Sequence, residues 1–461
     1  MIADVRLRPS LPIAAAVALA ALAWIALPGL ASRVVASRLA AEGAADRAAY
    51  ARGASPWAWH LARADDVVAS RVFGDGSLRA GPEGLMIVAH GDRPLQVGLP
   101  IAREVDLTGL DCLQLDMSGP ATARYALLVR QALAGPLLRA PFAPGSPVRL
   151  TALPWVDETG RPHAAPTRAA MIRLELDLHP GDAVRLSGAS LVPSHALAET
   201  SGLRIPGSLS AEALLRWRDR QHAIRPLATF GDTPPSATFP DLGWPVAAGY
   251  GVLLLAGASR FRRAATARAR DAALVVFGPL WLIAGMRLSP HPSAVDVAVF
   301  GAGVAYAAFL AWRRVVPAWR WWGDWRMAGW PLLAIPVAVG LVAVAGHTPV
   351  WPSPGRMGLY LAWALFQQWL LLVVAGGILA QTLPRPLAVL LTALVFALLH
   401  LPNGLLMQLC FVAELGWAWW FVQRRTLLPV ALAHSAAALV LQAGLAGGIL
   451  RSLEVSARYL Q

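Results

Sequence analysis

The stretch Pro386-Leu-Ala-Val-Leu-Leu-Thr-Ala-Leu-Val-Phe-Ala-Leu-Leu-His400 decides how the rest of the chain is read. One threonine interrupts an apolar run that ends on an imidazole. As a helix rising about 1.5 Å per residue, it crosses most of a hydrocarbon layer about 30 Å thick. Polar side chains at that depth are costly and usually functional. Working outward, similar runs recur at 242–259, 272–286, 297–312, 327–346, 357–380, 404–423 and 426–450, the second and third of these being short. Residues 11–31 form another, flanked by Arg6, Arg8 and Arg33. A cleavable leader competes with a retained anchor here, and the length of the run favours the anchor. The expectation is a helical membrane bundle of about nine spans.

Composition agrees with that class. Of 461 residues, 56% are hydrophobic, above the roughly 45–50% of soluble domains. The net charge is +13, and all 40 basic residues are arginine. Such a balance can signal nucleic acid, but these arginines cluster beside apolar runs, so nucleic acid is not expected as a partner. Arg260, Arg262, Arg263, Arg268 and Arg270 fill one loop, and Arg313, Arg314, Arg320 and Arg326 fill the next but one. Arg385, Arg424 and Arg425 continue the alternation, against single arginines at 287, 356 and 451. The positive-inside rule then puts residues 1–10 in the cytoplasm and residues 32–240 outside, in a bacterial-type inner membrane. Trp319, Trp321, Trp322 and Trp325 fit an aromatic belt at the inner face. Cys112 and Cys410 fall on opposite sides of this divide, so no disulfide between them is expected.

Residues 32–200 read differently. Short apolar runs separated by Gly, Pro and Asp predict strands at 84–89, 110–117, 124–131, 148–153, 171–178 and 184–192. Leu113, Leu115 and Met117 share one face by period two, as do Ile172, Leu174 and Leu176. Strands without intervening helices predict an antiparallel β-sandwich, jelly-roll-like in its last strand. A helix near 210–223 and a Pro-rich linker close the segment 201–241. Accessory spans occupy 242–346, a core 357–450 and a tail 451–461.

Few polar residues fall in the last four spans: Gln367, Gln368, His400, Asn403, His434 and Glu414, the sole carboxylate between Trp330 and Leu450. Phe396-Ala-Leu-Leu-His400 resembles the Phe-x-x-x-His motif of the CPBP family, the CAAX-protease and bacteriocin-processing (Abi) intramembrane endopeptidases. His434, just after Arg425-Thr-Leu-Leu-Pro429, resembles the family's third motif, and Gln367-Gln368 stands where the family places Glu-Glu-x-x-x-Arg. The resemblance spans about 357–441. It implies hydrolysis of a polypeptide beside the membrane, with a glutamate activating water and histidines and an asparagine holding the oxyanion. Here Gln367 and Gln368 replace both glutamates, Leu372 stands at the arginine position and Ala438 at the asparagine position.

Three readings of these residues follow. One imidazole is the base and the other the oxyanion donor; or Glu414 completes a site with His400 and His434, a possible zinc set; or the Gln-for-Glu exchange leaves a degenerate member that binds or scaffolds. Gln is close to Glu in shape but cannot take a proton. The partners expected are the lipid bilayer and a membrane-linked or secreted polypeptide. A cell-envelope module whose sandwich engages a glycan or secreted protein is the alternative; no aromatic ladder for sugar is legible. Asn403, before a helix, reads as its cap. One conflict remains: His400 lies about 21 Å along its helix and His434 about 12 Å along its own. Residues of one site must share a depth.

Overall fold

The computed structural model describes residues 10–52, 57–81, 83–101, 104–132, 135–144, 147–194, 202–231, 243–261, 266–283, 292–323, 329–447 and 450–460. Two compact units divide the chain. Helix α1 spans Ser10–Ala51. It continues past Ala31, the expected end of the apolar anchor, because residues 32–51 are rich in alanine, the best helix former. The start expected for the β region is therefore helical.

The β unit comprises Ser37–Pro206 and Arg216–Ala237. Its strands are β1 (Ala58–His60), β2 (Gly76–Gly81), β3 (Gly84–Ala89), β4 (Leu95–Leu99), β5 (Val105–Asp106), β6 (Cys112–Ser118), β7 (Arg124–Arg130), β8 (Leu137–Phe142), β9 (Val148–Arg149), β10 (Arg168–Ala169), β11 (Met171–Asp177) and β12 (Ala183–Val192). One sheet runs β2-β3-β12-β6-β9 with β1 also on β12; another runs β4-β11-β7-β8; β5 and β10 form a short pair. Every pairing between them is antiparallel. Ile172, Leu174 and Leu176 are buried along one face of β11, and Leu85, Ile87, Leu113 and Leu186 from the other large sheet join the same core. Each such side chain contributes about 1.5–3 kcal/mol. Gly43, in the part of α1 belonging to this unit, lets the helix touch the backbone of Phe230.

The helical unit holds α3 (Gly243–Arg260), α4 (Ala269–Ile283), α5 (Ala294–Trp312), α6 (Gly329–Leu332), α7 (Ala334–Ala345), α8 (Pro354–Gln368), a π-helical turn at Trp369–Gly376, α9 (Gly377–Thr382), α10 (Arg385–Leu398), α11 (Gly404–Arg424), α12 (Leu428–Leu445) and α13 (Ser456–Leu460). The helix expected near 210–223 is α2, Ala211–Ile224. Among the described residues, five helices are long and apolar enough to cross a membrane: Ile13–Ala51, Ala294–Trp312, Pro354–Thr382, Gly404–Arg424 and Leu428–Leu445. Gly329–Ala345 and Arg385–Leu398 are apolar but shorter. The chain thus joins a helical membrane region to a β unit.

Two contacts lock the first half of α1 into the helical unit. Pro28 has no N–H and cannot serve the carbonyl of Trp24 one turn back. Gln408 Nε2 of α11 donates to that oxygen at 3.0 Å. Gly404 gives room beside it, a Cβ there lying 3.4 Å from that of Ala31. At the other helices, the Asp271 carboxylate, wholly buried at the start of α4, accepts from Arg260 of α3 at 2.5 Å, Tyr306 of α5 at 3.0 Å and the backbone N–H of Arg268 at 2.8 Å.

Candidate active site in the helical unit

His400 follows the last turn of α10. Its Nδ1 lies 2.7 Å from the carbonyl oxygen of Phe396. A carbonyl only accepts, so Nδ1 carries the proton and Nε2 keeps its lone pair. The motif thus works locally: the residue four positions back sets the tautomer of its histidine.

His434 lies two turns into α12 and is buried. Its Nδ1 is 3.2 Å from Nε2 of Gln368, which also donates to Glu414 Oε2 at 3.1 Å. With the amide nitrogen as donor, Nδ1 of His434 accepts and its ring hydrogen sits on Nε2. The two histidines therefore carry opposite functions at Nε2: a lone pair on His400, an N–H on His434.

Both rings pack edge-on against the ring of Phe396, with centroids at 4.8 Å for His400 and 5.3 Å for His434. The depth conflict dissolves on this contact. Residue counts from the helix starts therefore do not give the depth of either ring. Trp417, whose ring centroid is 5.6 Å from that of His434, and Tyr360, at 6.2 Å, enclose the same imidazole. Neither was singled out in the sequence, although Trp417 lies three residues after Glu414 and Tyr360 two turns before Gln368, spacings that share a helix face.

A cavity of about 1320 Å³ opens on these groups, lined by His400, His434, Gln367, Ala438, Tyr360 and Trp417 among others. Trp330, Trp363 and Trp420 make most of its wall apolar. Gln367 and Gln368, read as one pair facing the cavity, divide. Gln367 lines it, whereas Gln368 is fully buried in the packing behind His434. Successive helical residues differ by about 100°, so two neighbours cannot share one narrow face. The pair ends α8 where the backbone widens into the π-helical turn, a feature frequent at functional sites.

Glu414 is likewise fully buried and off the cavity wall. The amide of Gln368 stands between it and His434, so the set His400, His434 and Glu414 does not assemble around a common point. Among the described residues, no three His, Cys, Asp or Glu side chains gather as a metal site. Oε1 of Gln368 and Oε1 of Glu414 find no partner among the described residues. Asn403 does cap α11, accepting from the N–H of Leu406 at 3.2 Å, and its amide donates to the Ser452 carbonyl at 2.8 Å.

Two histidines beside one largely apolar cavity, in a unit of apolar helices, mark this as the candidate site. Residues 365–440 match the family model described as type II CAAX prenyl endopeptidase Rce1-like, so this part of the chain is an Rce1-like domain of the CPBP family. The match takes in Gln367, Gln368, His400, Glu414 and His434. No curated protein matches the chain. No solved structure matches it either.

Proposed function

We propose that the chain is an intramembrane endopeptidase acting on a polypeptide at or beside the membrane. The observation that carries this reading is that two imidazoles line one cavity with different partners at Nδ1, the Phe396 carbonyl for His400 and the Gln368 amide for His434. His400 Nε2, with its lone pair free, takes a proton from water as the water oxygen attacks the scissile carbonyl carbon. His434 Nε2–H donates to the oxygen that becomes negative. The proton on His400 then passes to the leaving amine nitrogen as the C–N bond breaks, and both rings return to their starting state. Gln367, on the cavity wall, serves as a hydrogen-bonding group for water or peptide but not as a base.

A second reading rests on the resemblance of the sequence: Gln367 and Gln368 stand where that resemblance implies two glutamates. Under it the cavity holds a polypeptide without cutting it. The assay is hydrolysis of membrane-tethered peptides by the purified chain in liposomes, with His400→Ala as control. Cleavage lost in that variant supports the first reading. Cleavage seen only after Gln367→Glu with Gln368→Glu supports the second. Around this site we read nine crossings with a cytoplasmic N-terminus in an inner membrane, and the β unit as an extracytoplasmic sandwich; the arginine alternation supports that topology.

A further inference from the structure

Glu414 has no part in the chemistry above, yet a fully buried carboxyl group in a lipid-facing bundle demands an account. Its partner is the carboxamide of Gln368, and that amide has two hydrogens on one nitrogen. That nitrogen lies 3.1 Å from Glu414 Oε2 and 3.2 Å from Nδ1 of His434, so each can take one hydrogen. A carboxamide is nearly symmetric in shape, so packing alone scarcely tells its oxygen from its nitrogen; the partners decide. Where the acceptor at Glu414 is kept, the nitrogen must lie on the side of Glu414 and His434. Reverse the amide, and the same place holds an oxygen, which accepts from a proton on Nδ1 and leaves Nε2 of His434 bare. The orientation of Gln368 and the tautomer of His434 are one variable.

We infer that Glu414 is a positioning residue: by accepting one N–H of Gln368 it turns the other toward Nδ1 of His434 and so fixes His434 as an N–H donor at Nε2. The functional consequence rests on the reading of His434 as the oxyanion donor; the tautomer itself does not. The geometry also explains why a glutamine serves at 368. Glutamate there would offer acceptors to another acceptor and could not relay an N–H without first gaining a proton.

The test is the nitrogen spectrum of ¹⁵N-histidine-labelled full-length protein in liposomes, with His434 assigned by the signal lost in His434→Phe. The wild type should show its ring hydrogen on Nε2 and a bare nitrogen at Nδ1. Glu414→Leu, close in size and unable to accept, should give a mixture of tautomers. Glu414→Gln, which keeps an acceptor oxygen, should restore the wild-type pattern. A wild-type His434 protonated on Nδ1, or a pattern unmoved by Glu414→Leu, overturns the inference. The first result needs no variant, so a Glu414→Leu protein that fails to fold still leaves the inference testable. In the hydrolysis assay, Glu414→Leu should lower kcat by about tenfold with little change in KM, less than the 10²–10³-fold loss expected on removing an oxyanion donor outright. The predicted tautomers without hydrolysis in any variant would defeat the peptidase reading alone. Hydrolysis with a tautomer indifferent to Glu414 would defeat this inference alone.

Discussion

Removing Asp271 should loosen the packing of α3, α4 and α5 more than any exposed substitution nearby. The carboxylate has no exposure and holds three donors from three places: Arg260, Tyr306 and the Arg268 backbone. The Arg260 side chain retains only 12% of its accessible surface. Asp271→Ala therefore leaves a largely buried guanidinium without its counter-charge, with only the Thr266 carbonyl as acceptor, and a buried phenol without its partner. Breaking a buried pair on one side costs about 3–5 kcal/mol, chiefly because the remaining charge is uncompensated. At about 2–4 °C per kcal/mol for a domain of 150–250 residues, the loss is on the order of 10 °C in Tm. Thermal unfolding of the purified chain in one detergent, followed by tryptophan fluorescence, reads the shift. The double variant with Arg260→Ala should recover part of it, because the stranded charge goes as well. A Tm within about 2 °C of wild type, or a double variant losing the sum of both singles, refutes the argument that the buried charge is what costs.

Other outcomes follow from the same coordinates. Gly43→Ala places a Cβ 2.0 Å from the Phe230 carbonyl oxygen, too close for any real contact, so α1 must shift; proteolysis of the β unit should quicken at least tenfold over Gly207→Ala, whose Cβ meets open space. Burial works to raise the pKa of Asp111, but hydrogen bonds from the hydroxyl and N–H of Ser194, with Arg149 nearby, outweigh it and hold the carboxyl below its usual value. Its folded pKa lies under its unfolded one, so its stabilisation is present above the unfolded value and is lost as pH falls through the folded value. Denaturation of wild type and Asp111→Asn across the acid range should converge at the low end; parallel curves would contradict this. Gln408→Leu strips the Trp24 carbonyl of its donor in an exposed hydrogen bond, so the loss should be that of an ordinary bond, about 0.5–1.5 kcal/mol, and Tm should fall by a few degrees at most.

The sequence carried most of the architecture. Eight apolar runs after residue 240 each correspond to helix in the described residues, and four of these helices are long and apolar enough to cross a membrane. The period-two pattern of Ile172, Leu174 and Leu176 located β11, and the run through Ala183–Val192 located β12. Strands with weak patterns escaped. β2, Gly-Ser-Leu-Arg-Ala-Gly, has glycine at both ends and no buried residue; β4 includes Gly98; β8 contains Pro141 and has β7 as its one strand neighbour, with an isolated bridge from Arg139 to Val156. These strands are specified by their partners more than by their own residues. At the site, the polar residues themselves stood out because the bilayer makes them rare. What the linear order concealed was partnership. Gln368 and Glu414 are 46 residues apart, and Gln368 and His434 are 66 apart, so nothing local ties the three. The division between Gln367 on the wall and Gln368 behind it depends on helix rotation, which a pair of identical neighbours does not disclose.

The most direct test of the proposed chemistry is a double-variant cycle on His400 and His434, with initial rates of peptide cleavage measured in liposomes. Two imidazoles that serve one step fail together: His400→Ala and His434→Ala should each remove nearly all turnover, and the double variant should lose scarcely more than either alone. Losses that multiply, or a wild-type rate that survives either substitution, would mean that the two rings do not act as a unit.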